Sequence, residues 1–287
     1  MINPGVPRRD GLLLPSLALL GGQVSVNLGA AVAKQLFPVI GVEGITAFRV
    51  GFSALLLMAI FRPWRCALTR RDVVNLLVYG TVMGMMNLLI YRAFERIPLG
   101  IAVAIEVTGP LLVALLSSRR PRDIASCALA MFGLYLLLPV NGGAGRLDPA
   151  GIAYAFGAAA CWALYIVFGK RASTLCGGQA VAWGMLVASL FIVPLGAAHA
   201  NAAMLTPGVL ATGLVIAVLS SAIPYSLEMI ALRGLPQGLF GMFSSAAPAV
   251  SAIAALLILG ERLSAIEWGA IACIVLASAL CAMSARD

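Results

Sequence analysis

Apolar runs of about twenty residues, each closed by a polar or basic stretch, fill almost the whole chain. The run from Pro98 to Ser117 shows the pattern well. Its residues are small or aliphatic, apart from one carboxylate, Glu106, near its middle, and it stops at Arg119, Arg120 and Arg122. A helix rises about 1.5 Å per residue, so twenty residues cross the ~30 Å hydrocarbon core of a bilayer. Ten such runs are drawn at roughly 12–33, 43–61, 72–94, 98–117, 122–139, 149–169, 179–198, 208–232, 236–259 and 264–284. The connecting loops are too short to hold a soluble domain. The pattern predicts an all-α integral membrane protein with ten transmembrane helices.

Composition agrees. Of 287 residues, 62% are hydrophobic and 10% charged, against roughly 25% charged in globular domains. No soluble core of this length could hide so much apolar surface. The net charge of +8 does not point to nucleic acid, because the cations lie between apolar runs and never interleave with aromatics in a patch. Their distribution sets orientation instead. With the N-terminus inside, the cytoplasmic segments hold Arg8, Arg9, Arg62, Arg65, Arg70, Arg71, Arg119, Arg120, Arg122, Lys170, Arg171, Arg233 and Arg286. The outer segments hold only Lys34, Arg92, Arg96, Arg146 and Arg262. Both termini are therefore expected in the cytoplasm. For the first run a cleaved signal peptide is the alternative, since Ala31-Val32-Ala33 looks like a signal-peptidase site. Its length, and Gln23, Asn27 and Lys34 on one helical face, favour a span. The cysteines lack CxxC spacing and the lone His199 has no Cys, Asp or Glu nearby, so no metal site is expected.

The chain repeats itself. Pro98, Gly100 and Pro110 recur as Pro236, Gly238 and Pro248 at an offset of 138, and Lys34 recurs as Lys170 at 136. Residues 1–145 and 146–287 thus look like two copies of a five-helix unit. Five is odd, so the second copy must be inverted in the membrane. Many secondary transporters share that plan, with substrate bound near the midplane between the copies. Pro110 and Pro248 take equivalent mid-span places, where a proline breaks the hydrogen-bond ladder.

Three ionisable residues lie within spans: Arg49, Glu106 and Glu228. Each costs on the order of 3 kcal/mol at the centre of a bilayer, so they should face a cavity. A fixed Arg49–Glu106 staple and a solvated Glu228 are the structural alternatives. Polar or small seams run beside them. Ser220, Ser221, Pro224, Tyr225 and Glu228 share a helical face, as do Gly80, Gly84, Asn87 and Tyr91. Trp162 and Tyr165 stand three apart, Thr46 and Ser53 flank Arg49, and Ser244, Ser245, Pro248 and Ser251 form a further seam. Close packing through small residues is the plainer explanation of such seams. The charges are not duplicated: at the repeat offsets Glu106 falls opposite Ser244 and Arg49 opposite Met185. A guanidinium for a carboxylate and a carboxylate for an ammonium would suit a zwitterion. The expected substrate-binding set is Arg49, Glu106, Asn87, Tyr91, Trp162, Tyr165 and Tyr225, with Glu106 and Glu228 as proton carriers.

The segments AFRVGFSALLLMAIFRPWR, RIPLGIAVAIEVTGPLLVALLSSRRP, ACWALYIVFGKRA and AIPYSLEMIALRGLP resemble the bacterial threonine and homoserine exporters. Those belong to the EamA-type group of the drug/metabolite transporter superfamily. The similarity runs over nearly the whole chain and is weakest at the termini and in the 140–148 and 199–207 loops. It implies ten helices in two EamA repeats, a bacterial inner membrane, and export of small amino acids driven by the proton gradient with no cofactor. Arg49, Glu106 and Glu228 stand within the matching strings. An EamA-type exporter of other metabolites or drugs is the alternative.

An enzyme is not expected: no HExxH, GxSxG or Asp-rich metal motif occurs. A channel would favour rings of repeated charge, which this asymmetry opposes. The expected partners are an amino-acid substrate and membrane lipid, with no nucleic acid; the sequence leaves the oligomeric state open, a homodimer included. The orientation is testable by fusion to alkaline phosphatase, which is active only outside the cytoplasm. Fusion after residue 146 should give active enzyme and fusion after residue 171 inactive enzyme; the reverse pattern would invert the topology.

Overall fold

The structure, a computed structural model, describes residues 9–65, 68–117, 121–137, 147–176, 179–235, 240 and 243–284. Some side chains in helices, including those of Lys170, Tyr225 and Arg233, also lie outside the described residues. The described residues form helices and no strand. In chain order these are α1 (Arg9–Gln35), α2 (Phe37–Phe61), α3 (Arg70–Arg96), α4 (Leu99–Glu106), α5 (Thr108–Ser117) and α6 (Pro121–Leu137). Then come α7 (Pro149–Cys176), α8 (Gln179–Ala198), α9 (Pro207–Ala217), α10 (Ile223–Gly234), α11 (Ala247–Leu259) and α12 (Ala265–Ser284). Five helices are long and apolar enough to cross a membrane, and five shorter apolar helical segments accompany them. Leu55, Met131, Leu190 and Leu257 are exposed on the outside, as suits a protein whose solvent is lipid.

Several expected spans are interrupted, each for a local reason. The run 98–117 is not one helix: α4 ends at Glu106, Val107 is a turn and α5 begins at Thr108. Pro110 has no N–H for the Glu106 carbonyl, and its ring crowds that oxygen. Thr108 Oγ1 donates to the Ile105 carbonyl at 2.6 Å beside the break. The equivalent position in the second half behaves alike. Ser245 and Ala246 form a turn just before Pro248, which enters the first turn of α11. In the eighth run, Val218–Ala222 forms a π turn between α9 and α10. The second run begins earlier than residue 43, at Phe37, with a kink at Gly41 (φ 71°, ψ 168°), a left-handed φ that glycine tolerates.

The helices pair in a regular way. α3 packs on α7 as α1 packs on α10, and α3 on α8 as α2 on α9. α4 lies on α7 as α11 lies on α1, while α2–α8, α4–α11 and α6–α12 are further close pairs. Small residues permit these approaches. A Cβ on Gly80 would come within 2.6 Å of the Gly184 carbonyl, and one on Gly84 within 2.3 Å of the Phe191 ring. Gly80 and Gly84 are therefore packing contacts with α8, not cavity wall. Thr46 and Ser53 are also buried in contacts: Thr46 Oγ1 donates to Val42 O at 2.6 Å, and the Ser53 and Ser221 hydroxyls share a 2.6 Å bond. Ala31 and Ala33 are fully buried in the core.

One end of the bundle carries an ion cluster. Lys34 Nζ pairs with Glu261 at 2.6 Å and donates to the Ile97 carbonyl at 3.1 Å. Glu261 in turn accepts from the Leu99 amide at 2.9 Å. Nearby in sequence, Arg92 pairs with Glu43, and Arg96 with Asp148 at 2.9 Å. The Arg96 hydrogen bond, helped by the Ala150 amide, holds the Asp148 carboxyl below the usual carboxylate range.

Gly109 tests the packing. A Cβ there would lie 2.1 Å from the Ala159 carbonyl oxygen, backbone against backbone. Gly109→Ala should cost about 1–3 kcal/mol and lower the unfolding midpoint of the detergent-solubilised protein by several degrees. Gly208→Ala, with nothing within 4 Å, should cost nothing. Equal losses at both sites would contradict the described contact.

Candidate functional site

A cavity of about 270 Å³ lies between α1, α2, α3, α4, α7 and the π turn with α10. Each wall follows from helical periodicity. On α1, Leu19, Gln23, Val26 and Asn27 fall on one face, and on α3 Met83, Asn87, Ile90 and Phe94 do the same. Arg49 enters from α2, Glu106 from the broken end of α4, Trp162 and Tyr165 from α7, and Ser220, Pro224 and Glu228 from the π turn and α10. The structure thus brings Arg49, Asn87, Glu106, Trp162, Tyr165 and Glu228 around one space. A second cavity, about 320 Å³ between α5, α6 and α7, has no charged residue among its described lining.

One expected binding residue sits elsewhere. Tyr91 is fully buried behind Arg49, whose guanidinium carbon stands 4.9 Å from the centre of its ring. Phe37 and Phe94 hold that ring from other sides, at 5.9 and 5.5 Å between centroids. The residue shapes the cavity only through Arg49, by a cation–π contact worth ~0.5–2 kcal/mol. The Tyr225 side chain lies outside the described residues. Pro110 and Pro248 mark the helix breaks and do not line the cavity. The Ser244–Ser251 seam contributes no wall either; its neighbour Ala247 does. Tyr165 is held in place by stacking on Tyr79, at 4.9 Å between ring centres.

The electrostatics separate Glu106 from the other buried acids. Asp72 and Glu267 are also buried, but each closes a capping box. Asp72 accepts from the Thr69 amide at 2.8 Å at the start of α3, and Glu267 from the Ser264 amide at 2.6 Å at the start of α12. Glu106 makes no hydrogen bond or ion pair among the described residues. Arg49 has none with a carboxylate either, and its Nε is buried without a partner. The Arg49–Glu106 staple is therefore not formed. An unpaired carboxylate and an unpaired guanidinium face one small space in an apolar bundle. Together they can receive an anionic and a cationic group of one ligand.

The sequence did not single out Gln23 and Asn27 as site residues, although their shared face was visible. Asn27 Nδ2 donates to the Gln23 carbonyl at 2.8 Å, and Asn87 Nδ2 to the Met83 carbonyl at 2.8 Å. Both amides spend a donor on their own helix. Beyond Ala30 and Phe94, one turn further along α1 and α3, stands the ion cluster of Lys34, Ile97 and Glu261.

The model of the EamA-like transporter family matches residues 149–283. The threonine/homoserine exporter RhtA of Escherichia coli (strain K12) is 46% identical over 275 residues, covering 96% of this chain and 93% of the relative. RhtA of Salmonella typhimurium (strain LT2) matches to the same extent. The uncharacterized transporter YwfM of Bacillus subtilis (strain 168) is 28% identical over 196 residues, or 66% of each chain. A solved crystal structure superposes with a TM-score of 0.64 at 18% identity, covering 98% of this chain and 100% of that one, which speaks for the fold alone. With a nearly full-length relative at this identity, and an apolar helical bundle around one charged cavity, the chain belongs to the EamA-like transporter family.

Proposed function

We propose that this protein is an inner-membrane secondary transporter that exports small amino acids, threonine and homoserine, by proton antiport. The observation that carries the proposal is the cavity itself, lined inside an apolar bundle by Arg49, Glu106 and Glu228, none of which has an ion-pair partner among the described residues. At about 270 Å³ it lies just below the ~300–1,000 Å³ usual for ligand pockets, a size that suits a small metabolite better than a drug. The names of the 46%-identical relatives support the same substrates.

In this mechanism Arg49, backed by Tyr91, holds the substrate carboxylate. Glu106 holds the ammonium, or a proton in its place, so that the two compete for one acid. Glu228, nearer the assumed cytoplasmic side, passes protons to and from it. Trp162, Tyr165 and Asn87 shape the space. The ten helices form two inverted repeats, residues 1–145 and 146–287, that rock against each other with both termini in the cytoplasm. The helix pairing supports this: exchanging the first five spans for the last five turns the α3–α7 pair into α10–α1 and leaves α2–α8 unchanged. Alternating access then consists in closing one end of the cavity while the other opens.

In inverted vesicles, export appears as uptake. Glu106→Gln should abolish proton-driven accumulation of labelled threonine, and Arg49→Gln should lower kcat/KM by ~10–100-fold, the cost of a charge-assisted hydrogen bond. Wild-type proton-coupled flux in Glu106→Gln would remove Glu106 from the mechanism. Wild-type vesicles that carry unrelated drugs but neither amino acid would replace the substrate.

A further inference from the structure

The cluster of Lys34, Ile97, Leu99 and Glu261 sits over one end of the cavity. On α1, Ala30 lies one helical turn below Lys34. On α3, Phe94 comes three residues before Ile97, and on α4, Val103 comes four after Leu99. All three line the cavity, and they are only 7%, 3% and 7% exposed. This end is therefore sealed. At the other end Gln23 on α1, Tyr165 on α7 and Pro224 and Glu228 on α10 are half-buried, which places access to the cavity on that side.

The contacts over the sealed end cross between the halves of the chain. Lys34 belongs to the first half and Glu261 to the second. Their charged ends stand 2.6 Å apart, and each side chain is 19% exposed. Lys34 also donates to the Ile97 carbonyl, and Glu261 accepts from the Leu99 amide. Weaker ties join the halves nearby. Gln35 Nε2 donates to the Ile258 carbonyl at 3.2 Å, Asn201 Nδ2 to the Val39 carbonyl at 2.8 Å, and Arg96 pairs with Asp148. Those ties are exposed, and exposed polar pairs contribute little. An ion pair suits a contact that must part and re-form, because separated charges regain the hydration they gave up on pairing. We propose that the Lys34–Glu261 pair is the latch of an outer gate. It keeps the cavity shut at this end in the present conformation and parts when substrate leaves. This rests on the proposed function, in which this end faces outward and the halves rock against each other.

Glu261→Gln tests the latch selectively, because the amide keeps an oxygen for the Leu99 N–H and loses the charge that faces Lys34. Lys34→Met serves as the second variant if Glu261→Gln does not fold. Weakening the closed state moves population toward the outward-open one, which binds substrate from outside. In right-side-out vesicles, read by exchange against internal threonine, the KM of the variant should fall about threefold or more. In inverted vesicles it should not fall. A staple that never opens would leave the outer KM unchanged or raise it, and that result would overturn the latch. A further reading needs no substrate. With the six native cysteines replaced by alanine, Ala30→Cys should react slowly with a membrane-impermeant thiol reagent added to intact cells. Adding Glu261→Gln should speed that reaction about threefold or more, and equal rates would overturn the latch. If the cysteine-free protein does not fold, the pair of KM values decides. Wild-type vesicles that carry neither threonine nor homoserine would overturn the proposed function instead, and the thiol rates would still decide the latch.

Discussion

An ionisable group without an ion-pair partner inside an apolar bundle is the constraint on which this structure turns. Glu106 is buried, and its depth in the membrane would cost several kcal/mol if it faced lipid. The other buried acids meet that cost by capping helices, Asp72 for α3 and Glu267 for α12. Glu106 has no such task, and the Arg49 guanidinium meets the Tyr91 ring but no carboxylate among the described residues. What makes their burial tolerable is the polar space they share with Asn27, Asn87, Ser220 and Glu228. The cavity and the charges therefore require each other.

The surrounding helices hold this space open by packing tightly everywhere else. Gly80 and Gly84 let α3 close on α8, and Gly109 lets α5 close on α7. With no difference in hydrophobicity between lipid tails and leucine, such close approaches are the main source of cohesion in a membrane bundle. They also explain why polar seams can mislead. The seam Gly80–Gly84–Asn87–Tyr91 joins one cavity residue to two packing residues and one ring hidden behind Arg49.

Much of the fold was legible in the sequence because a bilayer imposes its thickness on every apolar run, and a charge inside such a run stands out. Arg49, Glu106 and Glu228 could be picked out on that ground alone, and Trp162, Tyr165 and Asn87 by their helical spacing. The prolines announced the breaks at Val107 and Ser245. Other features depend on partners far apart in the chain. Nothing local says that Lys34 meets Glu261, or that Tyr91 turns toward Arg49 instead of the cavity. The π turn escaped notice because Pro224 signals a lost bond without saying which carbonyl takes the slack. Gln23 and Asn27 were passed over because a neutral amide in an apolar run is a weaker signal than a charge.

The fastening at Leu99 has a mechanical side. The Lys34–Glu261 pair is tied through both of its members to the short stretch Ile97–Leu99. From Leu99 a stiff rod of eight residues, about 12 Å long, runs to Glu106 and stops at the articulation of Val107. The short helix thus joins the fastening of the bundle's rim directly to its central carboxylate.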